Sequence, residues 1–242
     1  MREPDALIVD ANVPNRHVET NGFTVFADRN VLHVPATVVD IESFREWTDT
    51  DDFPEKMNIW WLCGGVWIDM SHEQIFTHVV IEGEIFRVLA SLVRQNRLGW
   101  VFPDGAFLTN LPADISGKPD AMFLSEAAVE SDRVRFVEGA KGGYNEIEGT
   151  PDMVLEVVSD SSVRKDLIIL LDAYWQAGIR EYWLVDARDD QLKFDIFRHG
   201  PKGYKRSAKK HGWIASPVFG KSFRLSTTTD AAGRPDYTLE VR

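Results

Sequence analysis

Between residues 151 and 186 the hydrophobic pattern switches from a period of two to a helical period and back. From Pro151 to Val158, the side chains of Asp152, Val154, Glu156 and Val158 fall on one face and those of Met153, Leu155 and Val157 on the other, which predicts a strand. The Ser159-Asp160-Ser161-Ser162 run is a turn and helix N-cap signal. Val163, Leu167, Leu170, Leu171 and Tyr174 then recur at helical spacing until Gly178, a good helix stop. Ile179 to Val185 reads as a second buried strand, ending at Asp186. Glu156 is the anomaly in this unit. Taking an ionised carboxylate out of water is expensive unless it is paired or binds a metal, so a Glu in a buried run is either partnered or catalytic. The plainer alternative is a strand Glu that faces solvent or an Arg.

The same test gives weaker units elsewhere. GFTVFADRNVLHV, residues 22–34, predicts a hairpin of two alternating strands around Asp28 to Asn30. Asp40 is a candidate N-cap for a short helix carrying Phe44 and Trp47, followed by an acidic loop. Asn58 to Asp69 predicts two strands around a Gly64-Gly65 turn. Ser71, with Gln74 three residues on, is a capping box for the longest helix, which runs to about Gln95. At 100° per residue Ile75, Val79, Phe86, Leu89 and Val93 form its apolar stripe, with Glu82 inside the stripe and His78 one turn away. Either Glu82 is a second buried carboxylate with a functional partner, or it reaches the edge of that stripe or pairs with His78 at i, i+4. Gly99 to Leu124 predicts strand, turn and strand, residues 125–149 a connecting loop with room for one helical turn, FDIFRH and GYKR a further hairpin, and SPVFGKSFRL a closing strand region.

Length and composition narrow the class. The 242 residues, 44% hydrophobic with 27 aromatics, suit one domain with extensions and exclude a disordered chain. The single Cys63 allows no internal disulfide and no thiolate cluster, and no apolar run approaches membrane-spanning length, so a soluble cytoplasmic protein with no membrane partner is expected. A net charge of -11 opposes non-specific attraction to nucleic acid, so any such surface has to be local. Residues 40–56 hold seven acids against two bases, whereas residues 200–211 hold five Lys or Arg and no acid, a solvated loop that could also meet phosphate.

Pro-Asp occurs five times, starting at residues 4, 103, 119, 151 and 235, so geometry has to choose among them. Asp152 and Glu156 lie about 13 Å apart along one strand at roughly 3.3 Å per residue, too far to share one ion. Asp120 begins a different strand, and two carboxylates from neighbouring strands could hold a Mg²⁺ with water left for chemistry. That is the minimal equipment for metal-assisted phosphodiester hydrolysis. The sequence contains no GxSxG elbow, P-loop, HExxH or dinucleotide fingerprint.

KPDAMFLS, PDMVLEVVSDSSVRKD and AYWQAGIREYWLVD together resemble the Uma-type restriction endonuclease family, a branch of the PD-(D/E)XK nucleases, over roughly residues 41–225. The resemblance implies an α/β fold with a restriction-endonuclease-like core, a mixed central β-sheet flanked by helices. Residues 37–225 would form that domain, behind an N-terminal extension (1–36) and ahead of a C-terminal tail (226–242). It implies Asp120 and Glu156 as ligands for Mg²⁺, with Mn²⁺ as a substitute, an acid from the first core helix (Glu82 or Glu73) and a His matching His78. A Lys should orient the attacking water. Its two expected positions are occupied by Val158 and Leu170, which leaves Lys165, or more weakly Arg164, as the cation. On an ideal helix Lys165 points about 200° from Val163, away from the packed stripe, although a chain still turning at a helix start and a four-carbon stem give it reach. The implied activity is endonucleolytic hydrolysis of nucleic acid, DNA first, by a homodimer. The alternative is an impaired descendant that binds nucleic acid or protein without cutting.

Overall fold

The computed structural model describes residues 8–10, 23–27, 30–54, 57–69, 74–189 and 191–242, with side-chain surroundings from Leu32 onward. Its centre is a six-stranded mixed sheet in the order Lys205–Arg206, Lys193–Arg198, Glu181–Asp186, Met153–Val157, Ala121–Ser125, Gly99–Pro103. Met153–Val157 pairs in parallel with Glu181–Asp186 and antiparallel with Ala121–Ser125. All five residues of Met153–Val157 are buried, which an interior strand covered on both faces requires.

One face of this sheet, carrying Phe123, Leu155, Val157, Trp183 and Val185, packs on Ile81, Ile85, Leu89 and Val93 of the helix Val80–Asn96. Phe223, Tyr237 and Leu239 from the hairpin of Lys221–Thr229 and Pro235–Val241 complete that layer. Within residues 226–242, expected as a tail, Tyr237 and Leu239 of the strand Pro235–Val241 are buried in this core. The other face, carrying Met122, Leu124, Val154, Tyr182 and Leu184, meets Trp60, Trp67, Leu108 and Ile115 of a seven-stranded sheet, together with Leu170 and Tyr174. That second sheet contains the hairpin of Asn58–Leu62 and Gly65–Asp69. Its outer face, Ile59, Trp61, Val66 and Ile68, is covered by Phe44 and Trp47 of the helix Ile41–Thr48 and by Leu32 and Val34. Flanking is thus shared between helices and a second sheet, because strands apolar on both faces need cover on both sides.

Several expectations shift in detail. Asp40 caps Ile41–Thr48 through Ser43, as its position predicts. Phe23–Ala27 pairs with Asn30–Val34, while Asp28 lies outside the described residues. The turn of the 58–69 hairpin falls on Cys63 and Gly64, both at positive φ, and Gly65 is already in the strand. Residues 125–149 contain the helical turn, Glu126–Glu130, but the remainder is not a plain loop: Val134–Glu138 and Tyr144–Gly149 are paired strands. Ser71 and Glu73 lie outside the described residues. The buried stripe of Val80–Asn96 is rotated by about 60° from the predicted one, leaving Ile75 and Val79 exposed. The cause is a π turn, Ile75–Val79, which precedes the helix and breaks the 100° register.

Candidate active site

Leu155 pairs with Ala121 across the antiparallel ladder, so one further step of register sets Glu156 beside Asp120. Both carboxylates line a cavity of about 100 Å³ that also touches Asn58, Asp69, His78, Ser162, Lys165 and Asp166. Asp120 Oδ2 accepts the backbone N–H of Val157 at 2.5 Å, which ties the two strand ends together. Glu156 is 1% exposed, and each of its oxygens has a donor: the Tyr174 hydroxyl at 2.7 Å to Oε1 and Lys165 Nζ at 3.2 Å to Oε2.

The placement of Lys165 corrects the helical-wheel expectation. Lys165 is 2% exposed and points inward, while Leu167 and Ile168, the former in the predicted stripe, are exposed. Lys165–Ile169 is a π turn in which the N–H of Leu170 donates to the carbonyl of Lys165. A turn closed over five residues brings Lys165 under Leu170, and Tyr174 follows four residues on, so all three share the buried side. Lys165 Nζ also lies 2.8 Å from Asp166 Oδ1 and 4.6 Å from the centre of the Trp60 ring. Val158 and Leu170 are core residues. Arg164 is exposed.

On the opposite wall, His78 is 5% exposed. Its Nδ1 lies 3.3 Å from Glu82 Oε1 and its Nε2 3.7 Å from Asp120 Oδ2. One possible ligand atom from each of His78, Glu82 and Asp120 lies within 4.8 Å of the others.

Too many carboxylates surround one ammonium for all of them to be comfortably ionised. Burial, helped by Asp166 and Asp104, pushes the Asp120 carboxyl up to about 8 despite the pull of Lys165 and the Val157 N–H. Burial likewise drives Glu156 well above the usual carboxylate range against Lys165, with Asp120 and Asp166 adding to it. Asp166 is raised for the same first reason. For Lys165 burial pulls downward, but Asp166, Glu156 and Asp120 outweigh it and hold the ammonium charged. A small, oxygen-rich cavity with more carboxyl groups than its one ammonium can balance, and one imidazole, fits Mg²⁺ or Mn²⁺, whose charge would favour the ionised carboxylates.

Asp152 stays outside this group, as its strand spacing requires. It accepts the Ser125 N–H at 2.9 Å and pairs with Arg133 at 2.6 Å and Arg180 at 3.3 Å. In the basic run, Arg206 and Lys209 both lean on Asp195, and Lys205 and Lys210 are exposed. Sequence reasoning missed Tyr174, Asp166, Trp60 and Asp69. A Tyr at helical spacing reads as core, and only Asp166, adjacent to Lys165, carried a chemical signal.

The Uma2 family, described as "Putative restriction endonuclease", matches residues 41–228. No curated protein matches the chain. A crystal structure from Anabaena variabilis, of a "putative nuclease belonging to DUF820", superposes with a TM-score of 0.51 at 17% identity, covering 67% of this chain and 83% of that one. That likeness shows a shared fold. The family match spans well over half of the sequence, and the chain belongs to the Uma2 family of restriction endonuclease-like proteins.

Proposed function

We propose that this protein is a Mg²⁺- or Mn²⁺-dependent endonuclease that hydrolyses phosphodiester bonds in DNA. The observation that carries the reading is the meeting of Asp120 and Glu156, from adjacent strands, in one small cavity with a buried, charged Lys165. Asp120 and Glu156 would hold the cation, with a carboxylate oxygen of Glu82 within 4.8 Å of Asp120. When bound, the cation supplies charge neutralisation at the phosphate and lowers the pKa of water. Tyr174 fixes the Glu156 carboxylate through its 2.7 Å hydrogen bond. Asp166 and the Trp60 face hold the Lys165 ammonium at the cavity, where it can donate to a phosphate oxygen. Scission of both strands calls for two such sites, which favours a homodimer.

The test is cleavage of supercoiled plasmid and of single-stranded DNA with Mg²⁺ or Mn²⁺, alongside calorimetric titration of each ion. Parent protein should bind the ion and nick plasmid, and Glu156→Ala should do neither. A second reading, a nuclease fold that binds without cutting, draws on the engagement of Lys165 with both Glu156 and Asp166. Ion binding without cleavage under any condition would favour it.

A further inference from the structure

We propose that His78 is itself a ligand of the cation, through Nε2 beside Asp120, and that it makes the site prefer Mn²⁺ to Mg²⁺. The inference rests on the metal-site reading above and adds a ligand and a selectivity to it.

The local burial is the first observation. In the π turn Ile75–Val79, Ile75 is 65% exposed and Val79 44%, while His78 is 5% exposed. Two aliphatic side chains are left in water and an imidazole is taken in, the reverse of what hydrophobicity alone would select. π turns of this kind recur at functional sites, where they re-aim one side chain. Here the re-aimed side chain lines the same cavity as Asp120 and Glu156.

Geometry is the second. Nδ1 faces Glu82 at 3.3 Å and Nε2 faces Asp120 Oδ2 at 3.7 Å. A carboxylate 3.3 Å from Nδ1 favours the tautomer with its proton on that nitrogen, which keeps the Nε2 lone pair for a metal, the usual support of a metal-bound imidazole. Glu82 then acts as a positioning residue for His78. Adjacent corners of an octahedral ion with bonds of about 2.1 Å lie about 3 Å apart, so His78 and Asp120 can close on one ion by small side-chain movements.

Ligand chemistry sets the preference. Mg²⁺ demands oxygen and gives up its waters reluctantly, so a nitrogen ligand adds little to its binding. A transition ion accepts imidazole, and Mn²⁺ also accepts the carboxylates that make up the rest of the site.

The experiment uses the untagged full chain. Calorimetry should show Mn²⁺ binding at least tenfold tighter than Mg²⁺, and His78→Gln should cut that ratio at least fivefold, mainly by weakening Mn²⁺. Pulsed electron paramagnetic resonance of bound Mn²⁺ should show ¹⁴N modulation from one imidazole, replaced by a ¹⁵N signal when the protein is labelled with ¹⁵N-histidine. If His78→Gln does not fold, the labelled wild-type spectrum and its loss in Asp120→Asn carry the test. Mn²⁺ bound without nitrogen modulation, or an unchanged ratio in His78→Gln, overturns the role of His78 and leaves the metal site standing. Failure of the parent to bind either ion overturns both readings.

Discussion

Asp120 gives the folded protein a pH dependence whose sign and size follow from its surroundings. Its carboxyl moves from an ordinary value of 3.8 to about 8, chiefly through burial. Above about pH 4 the unfolded chain therefore releases a proton that the folded chain keeps. Stability falls with rising pH wherever the native state binds more protons, so this contribution is intact below the unfolded value and is lost as pH climbs towards 8. The limiting slope for one group is about 1.4 kcal/mol per pH unit. Because Asp120 shares its charge with Glu156, Asp166 and Lys165, a slope of about 1 kcal/mol per unit, or about 2 kcal/mol between pH 5 and 7, is expected. The assay is urea unfolding in EDTA at several pH values for wild type and Asp120→Asn. Titrations common to both proteins cancel, so the difference reports Asp120 together with its coupling to Glu156 and Asp166. Wild type should lose about 2 kcal/mol more than the variant across that range. Adding Mn²⁺ at pH 7.5 should restore wild type and leave the variant little changed, since an ion that binds only the folded state stabilises it. Parallel slopes would mean that Asp120 is ionised throughout, and would refute the argument from burial and crowded charge.

Three further outcomes follow from the same geometry. Lys165→Met removes the cation while filling its volume; DNA cleavage should fall at least about 100-fold. Mn²⁺ binding measured by calorimetry should stay or tighten, because the ion no longer competes with an ammonium. Tyr174→Phe should cost about 1–3 kcal/mol in chemical denaturation, since a Glu156 oxygen loses its donor in a buried setting. Gly117→Ala should destabilise by about 1–3 kcal/mol or more: a Cβ there would lie 2.0 Å from the Trp60 ring, which itself packs on Lys165, so thermal melting should drop.

The order of secondary structure around the site was legible in the sequence, because period-two and helical alternation record which faces are buried. Met153–Val157, the helix after it and Glu181–Asp186 all fall where that alternation places them. The out-of-place Glu156 and the Asp120 strand were visible for the same reason: a carboxylate in an apolar strand is costly unless something answers it. Lys165 was a candidate, but the Tyr174 donor to Glu156 and the Trp60 ring against Lys165 were not visible. Tyr174 and Trp60 are ordinary core residues until a hydroxyl and a ring face meet Glu156 and Lys165 across 18 residues of chain and across two sheets. Residues 226–242 lacked a signal strong enough to be read as strands, and their cover of the central sheet is a long-range fact.

Sequence by itself determined the strand–helix–strand unit and the two candidate carboxylates, which are written in local periodicity and residue type, while the family came from the likeness of KPDAMFLS, PDMVLEVVSDSSVRKD and AYWQAGIREYWLVD. Only the tertiary structure decided that Lys165 faces inward and that His78 joins Asp120. Both depend on π turns, Lys165–Ile169 and Ile75–Val79, in which one extra residue per turn rotates the side chains that follow. A rotation of that kind is selected by what the side chains meet once the sheets have packed, and no regular 3.6-residue pattern records it.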